Sequence, residues 1–272
     1  MDESKGKQIL ASHTAADLQK LLTITGLEPP YVLAAHSFGG ILLRTFLQTQ
    51  LYEPERVKGV LLFDTATEII LSPLFPHVPP LSLMAIVRNV DIEALTHLKR
   101  DSGMSDAEWD YAIAANQRSL HALSLEDTHA SAYELGLMRQ LDKKAFKGYL
   151  TVVQCDMARD YKLWYDEGVR IGDGTKEERK DAQEFLERWA SLHGTMARAQ
   201  RDLSEQSEFK FMGEWGHDVP IRRAEVVMQE VRHLLERMGR SASAENASSR
   251  EDSRGWERGQ GGGLNPAMSF LG

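Results

Sequence analysis

Three short apolar runs, Tyr31–Ala35, Val57–Phe63 and Tyr149–Cys155, constrain the fold of this chain more than any other feature. A strand with one face in water alternates polar and apolar residues, whereas a strand covered on both faces reads as an unbroken apolar run. Val57–Phe63 has no polar alternation and ends at Asp64, and helical patterns follow the runs along the chain. A fourth strand is expected at Glu208–Met212. Strands too apolar to face water, alternating with helices, predict an α/β fold with a mostly parallel sheet. The 272 residues suffice for one large α/β domain or two small ones, and with 42% apolar and 26% charged residues most of the chain should fold.

Ala15, Leu18, Leu21 and Leu22 recur at helical spacing over Thr14–Leu22, and the pattern stops before Gly26 and the Pro29-Pro30 pair. A second helix is expected over Ile41–Gln50, directly after the first strand and a tight turn. Residues 73–148 read differently. A proline-rich entry (Pro73, Pro76, Pro79, Pro80) leads into helical patterns over 82–100, 105–122 and 126–141, which predict an inserted helical lid. A polar helix near 177–201 and a last helix over Arg223–Met238 follow. The expected organisation is therefore core over 1–72, lid over 73–148, core over 149–238 and a disordered tail over 239–272, where Ser, Ala, Arg, Glu and Gly dominate.

Forty acidic against 32 basic residues, a formal charge of −8, oppose binding to a polyanionic backbone, so no nucleic-acid partner is expected. A single cysteine, Cys155, excludes an intramolecular disulfide and fits a reducing location. Residues 1–10 lack the apolar centre of a secretory signal, and no run approaches the ~18 apolar residues of a membrane span. A cytoplasmic protein is the expectation. No Walker-type loop, no Gly-x-Gly-x-x-Gly after a strand and no ligand-spaced His or carboxylate set occurs, so neither cofactor nor metal is expected. Asn246-Ala247-Ser248 matches the glycosylation triplet and is read as chance.

The chemistry concentrates in His36-Ser37-Phe38-Gly39-Gly40, set between the first strand and its helix. Together with Ala35 it resembles the nucleophile elbow of the α/β-hydrolase superfamily, Gly-x-Ser-x-Gly, with Ala35 in place of the first glycine. Small flanking residues let strand and helix approach while the turn lifts the serine above the sheet. The resemblance covers about residues 14–238 and implies a catalytic role for Ser37 as nucleophile, with the Phe38 amide as first oxyanion donor. It also implies His217 as the base, because this residue follows the fourth strand in a Gly-rich loop before the last helix. The acid is open between Asp64, which is favoured, and Asp156 or Asp160 after the third strand. His36 is read as packing, and His13, His77, His97, His121, His129, His193 and His233 as solvated or lid residues.

The resemblance further implies a serine hydrolase cleaving an ester, thioester or related acyl bond of a small apolar metabolite, as in a tailoring step of specialised metabolism. Apolar lid residues Leu81, Leu83, Met84, Ile86 and Trp109 fit that substrate. Members of the superfamily usually place several strands before the elbow and a second oxyanion donor among them, and neither has a counterpart in residues 1–30. The sheet is therefore expected to lack those N-terminal strands. The elbow strand then becomes an exposed edge that a homo-oligomer or a completing subunit would cover. The alternative is a noncatalytic or weakly active relative that binds a ligand in the same cleft.

Overall fold

The computed structural model describes residues 8–240; the tail expected from 239 onward lies, beyond residue 240, outside the described residues. In chain order the elements are α1 (Ala11–Thr25), β1 (Tyr31–His36), α2 (Gly39–Gln50) and β2 (Val57–Phe63). Then come α3 (Leu81–Ile86), α4 (Ile92–Thr96), α5 (Leu98–Ser102), α6 (Asp106–Leu125), α7 (Thr128–Met138) and β3 (Tyr149–Cys155). The chain continues through α8 (Met157–Ile171), α9 (Lys176–Ala199), β4 (Ser207–Met212) and α10 (Val219–Arg222), and a last helix, α11, spans 224–240.

The four strands pair in the order β1-β2-β3-β4, all parallel. Burial on both faces explains their apolar sequences. In β2, Val60 and Leu62 join α2 residues Leu43 and Leu47 in one core, while Leu61 and Phe63 join Val219 and Leu234 in another on the opposite face. The first core also takes Leu150 and Val152 of β3, and the second takes Val153 and Cys155. Among the described residues β1 pairs only with β2, so its outer edge is open. An apolar groove of about 680 Å³ runs along that edge between α1, β1 and α2, lined by Leu18, Leu21, Val32 and Leu42 among others. No described helix is long and apolar enough to cross a membrane.

The region 73–148 is helical, with boundaries that depart from the expected ones. The pattern over 82–100 is three short helices rather than one: α3 stops at Val87, Asp91 caps α4 by accepting from the Ala94 amide, and His97 is left-handed at φ 53°. The 105–122 helix extends to Leu125 as α6 behind a capping box in which Ser105 and Glu108 satisfy each other's backbone amides. Helix α8 was not foreseen. It begins where Asp156 accepts from the Arg159 amide and ends at left-handed Gly172. Its Tyr161 packs with Leu83, Ile86 and Val87 of the α3 segment and with Ala182, Phe185 and Trp189 of α9. Helix α3 thus finds its apolar partners in chain beyond residue 148.

A buried charge ties α2 to the segment after β2. Arg44, with no solvent exposure, donates to both carboxylate oxygens of Glu68 at 2.6 and 2.9 Å, to Thr67 at 2.6 Å and to Gln140 at 3.2 Å. Burial favours the neutral carboxyl of Glu68, but the Arg44 hydrogen bonds and charge outweigh it and hold the group below the usual range. Arg44→Met leaves this carboxylate without its cation. It should cost about 3 kcal/mol in a urea titration, and adding Glu68→Leu should recover much of the loss. A single-variant loss below about 1 kcal/mol would contradict this assignment.

Candidate active site

The first strand delivers Ser37 to its C-terminal end in a left-handed conformation, φ 55°, between β1 and the N-terminus of α2. A non-glycine residue held there costs on the order of 1 kcal/mol or more, and the surrounding backbone bonds hold it. The Ser37 amide donates to Phe63 O at 3.3 Å, and its carbonyl accepts from the Gly40 and Ala66 amides at 3.1 and 2.9 Å. The turn needs Gly40 more than Gly39. A Cβ on Gly39 would rest 3.6 Å from the Ala35 Cβ, an ordinary contact, whereas one on Gly40 would lie 2.4 Å from the Thr65 Cβ. Phe38 is the N-cap of α2, so its amide sits at the positive end of the helix beside the serine.

The next strand ends in Asp64, also left-handed at φ 49°, with its side chain fully buried. Its Oδ2 lies 2.7 Å from Nδ1 of His217, whose Nε2 lies 3.1 Å from Ser37 Oγ. Because an ionised carboxylate only accepts, Nδ1 carries the proton, and Nε2 of the neutral ring is the acceptor for the serine hydroxyl. Burial favours the neutral carboxyl of Asp64, yet hydrogen bonds and charge from His193 and His217 outweigh it and hold the group far below the usual carboxylate range. A depressed pKa means that ionised Asp64 stabilises the fold above the ordinary aspartate value, about 3.9, and that this contribution is lost as pH falls toward the folded value.

The structure brings Ser37, His217 and Asp64 together, and it gives Asp156 and Asp160 other partners. Asp156 caps α8. Asp160 accepts the His217 backbone amide at 2.6 Å and so pins the loop rather than the ring. Its carboxylate fills the space beside Gly216, where a Cβ would lie 2.1 Å from Oδ1, and only glycine fits. Burial pushes the Asp160 carboxyl up. Neither aspartate has a hydrogen bond to an imidazole nitrogen, so neither matches the role left open for it as an acid.

Two histidines read as incidental in sequence lie against this site. His36 donates Nε2–H to the His217 carbonyl at 2.8 Å, and its ring sits 4.4 Å from the His217 ring, centroid to centroid. Burial and the neighbouring His217 push its pKa down, so the ring that steadies the loop is neutral. His193 is not a solvated residue. Only 2% exposed, it places Nε2 3.1 Å from Asp64 Oδ1. A histidine in the apolar stripe of α9, one turn after Trp189 and just before Met196, was the signal available in sequence.

Burial disfavours protonated His217, but the hydrogen bond and charge of Asp64, with the charges of Asp218 and Asp160, hold its pKa above the ordinary histidine value. Above Ser37 opens a cavity of about 760 Å³, lined by Phe38, Ile70, Leu71, Phe75, Trp164 and Trp189 among others. Its walls come from the segment after β2, the start of α7, and α8 and α9. Cys155 faces the opposite core, where burial pushes its thiol up and keeps it unreactive.

Ring-resolved NMR of histidine tests the assignment of the carboxylates. Asp64→Asn should lower the His217 pKa by about one unit or more, whereas Asp156→Asn, which keeps its cap, should leave it unchanged. An equal fall in both variants would contradict the geometry.

No family model matches the chain. It is 26% identical over 240 residues to a protein of Gibberella zeae named AB hydrolase superfamily protein, a match covering 83% of this chain and 71% of that one. It is 25% identical over 233 residues to a protein of Hormonema carpetanum named probable transporter efuK, covering 83% of this chain but only 32% of that one. Among solved structures, a probable hydrolytic enzyme from Pseudomonas aeruginosa is 16% identical with a TM-score of 0.47, covering 85% of this chain and 70% of that one.

Proposed function

We propose that this chain, 26% identical to a protein named AB hydrolase superfamily protein, is an α/β-hydrolase, a serine hydrolase that cleaves an ester, thioester or related acyl bond of a small apolar molecule. One observation carries the reading: the continuous line from Ser37 Oγ through His217 to Asp64, with separations of 3.1 and 2.7 Å. A serine hydroxyl is a weak nucleophile at neutral pH until a base takes its proton. In this reading Ser37 Oγ attacks the acyl carbon while His217 Nε2 receives the hydroxyl proton. Asp64 accepts the Nδ1–H throughout and stabilises the imidazolium that forms. The oxyanion develops toward the Phe38 amide at the start of α2. His217 then returns the proton to the leaving alcohol or thiol, and a water repeats the sequence to release the acid.

The cavity walls support the substrate class. Ile70, Leu71, Phe75, Trp164 and Trp189 offer apolar surface, with Ser37 and His217 at the base. Residues 73–148 act as the lid in this account, and α8 and α9 supply the facing wall. A tailoring step in specialised metabolism is the setting such a pocket suits, and the cytoplasm its place. The open edge of β1 is the surface on which a second copy or a completing subunit would pair.

A second reading is a binding protein that holds an apolar ligand in the same cavity without turnover. Hydrolysis of p-nitrophenyl acetate through octanoate separates the two. We expect measurable turnover that falls by about 10³ or more in Ser37→Ala and in His217→Ala. The rate should rise with pH through an acid limb above about 6.5, because His217 must be neutral to accept the proton. Ester-induced thermal stabilisation without turnover would favour the binding reading.

A further inference from the structure

Asp64 receives two imidazoles, and only one of them reaches Ser37. His217 Nδ1 holds Oδ2 at 2.7 Å. Oδ1 is taken by His193 Nε2 at 3.1 Å and by the Cys155 amide at 2.9 Å. The carboxylate can only accept, so His193 presents an Nε2–H. Its ring cannot wander: it stacks on Trp189 at 5.3 Å and 11°, and Trp189 stacks on Phe185 at 5.4 Å and 21°, so residues one turn apart on α9 form a column.

We propose that His193 is a positioning residue for the reaction proposed above, acting on Asp64 and through it on His217. This rests on the reading of Ser37, His217 and Asp64 as the reacting line. The two oxygens of an aspartate are chemically equivalent, and rotation about the terminal side-chain bond exchanges them. Two donors fixed on Oδ1, one from the β3 backbone and one from α9, break that equivalence and leave Oδ2 to His217. The Nε2–H of His193 also draws part of the carboxylate's charge away from His217, which moderates the basicity of the ring that must first accept and then return a proton. A base that holds its proton too firmly stays protonated at neutral pH and cannot start the cycle.

The groups that set the His217 titration come from several elements: Asp64 at the end of β2, His36 at the end of β1, Asp160 on α8 and Asp218 in its own loop, with Arg222 of α10 acting on Asp160. Of these groups, Asp64 is the one that His193 meets, through Nε2 at 3.1 Å from Oδ1. His193→Phe keeps a ring for Trp189 and removes the N–H, whereas His193→Gln removes the ring and keeps an N–H donor.

The test combines histidine-ring NMR titration with the pH profile of p-nitrophenyl ester hydrolysis on the full chain. In His193→Phe the His217 pKa and the acid limb should both move up by about half a unit, because more of the Asp64 charge then falls on His217. The kcat should fall roughly tenfold, as expected for loss of a hydrogen bond to a charged group, with KM held within about twofold. His193→Gln should recover most of both. If His193→Phe does not fold, His193→Leu replaces it with the same expected shifts. An unmoved His217 titration in a folded variant overturns the proposal, and so does a Gln variant as impaired as the Phe variant, since that assigns the loss to packing. A parent chain without esterase activity would count against the hydrolase reading, and the NMR titration would still decide the role of His193.

Discussion

A carboxylate removed from water must be met by donors, and the Asp64 side chain has no solvent contact at all. Its partners come from three parts of the chain: the β3 backbone through Cys155, α9 through His193, and the loop after β4 through His217. Parallel pairing is what makes this convergence possible. It brings the C-terminal ends of β1, β2 and β3 side by side, so Ser37, Asp64 and the segment after Cys155 emerge at one edge of the sheet. Ligand sites in open parallel sheets occur at that edge for the same topological reason.

Support extends outward from this carboxylate in layers that each have a physical cause. Asp160 and His36 hold the backbone of the His217 loop from two sides, by its amide and by its carbonyl. The column of Phe185, Trp189 and His193 stiffens the wall from which the second imidazole reaches Asp64. Arg44 and Glu68 lock the serine's helix to the chain just after Asp64. Left-handed backbone at both Ser37 and Asp64 is tolerated because the neighbouring strands and turns determine the path on either side.

Much of this was legible in the sequence because burial on two faces leaves a strong mark. The runs at Val57–Phe63 and Tyr149–Cys155 match β2 and β3 residue for residue. The turn at Ser37 was readable through its resemblance to the nucleophile elbow, in which small residues stand between an apolar run and a helix. Helix α8 was missed although its signal was present: Met157, Tyr161, Trp164, Tyr165 and Gly168 fall at helical spacing, interleaved with charged residues, between Asp156 and Gly172. The long pattern over 82–100 misled in the opposite direction, because Asp91 and His97 interrupt it through local capping and a left-handed residue. The pairing of His193 with Asp64 could not be read at all. The two lie far apart in sequence, and only the packing of α9 against the sheet edge joins them.

In the proposed reaction, burial of Asp64 and the fixed geometry of His217 together make Ser37 a nucleophile. Reaction of the full chain with a fluorophosphonate, followed by peptide mapping, tests that claim at a single atom. One adduct is expected, on Ser37, lost in His217→Ala while circular dichroism stays unchanged. A folded chain that forms no adduct, or one whose adduct forms equally well without His217, would contradict it.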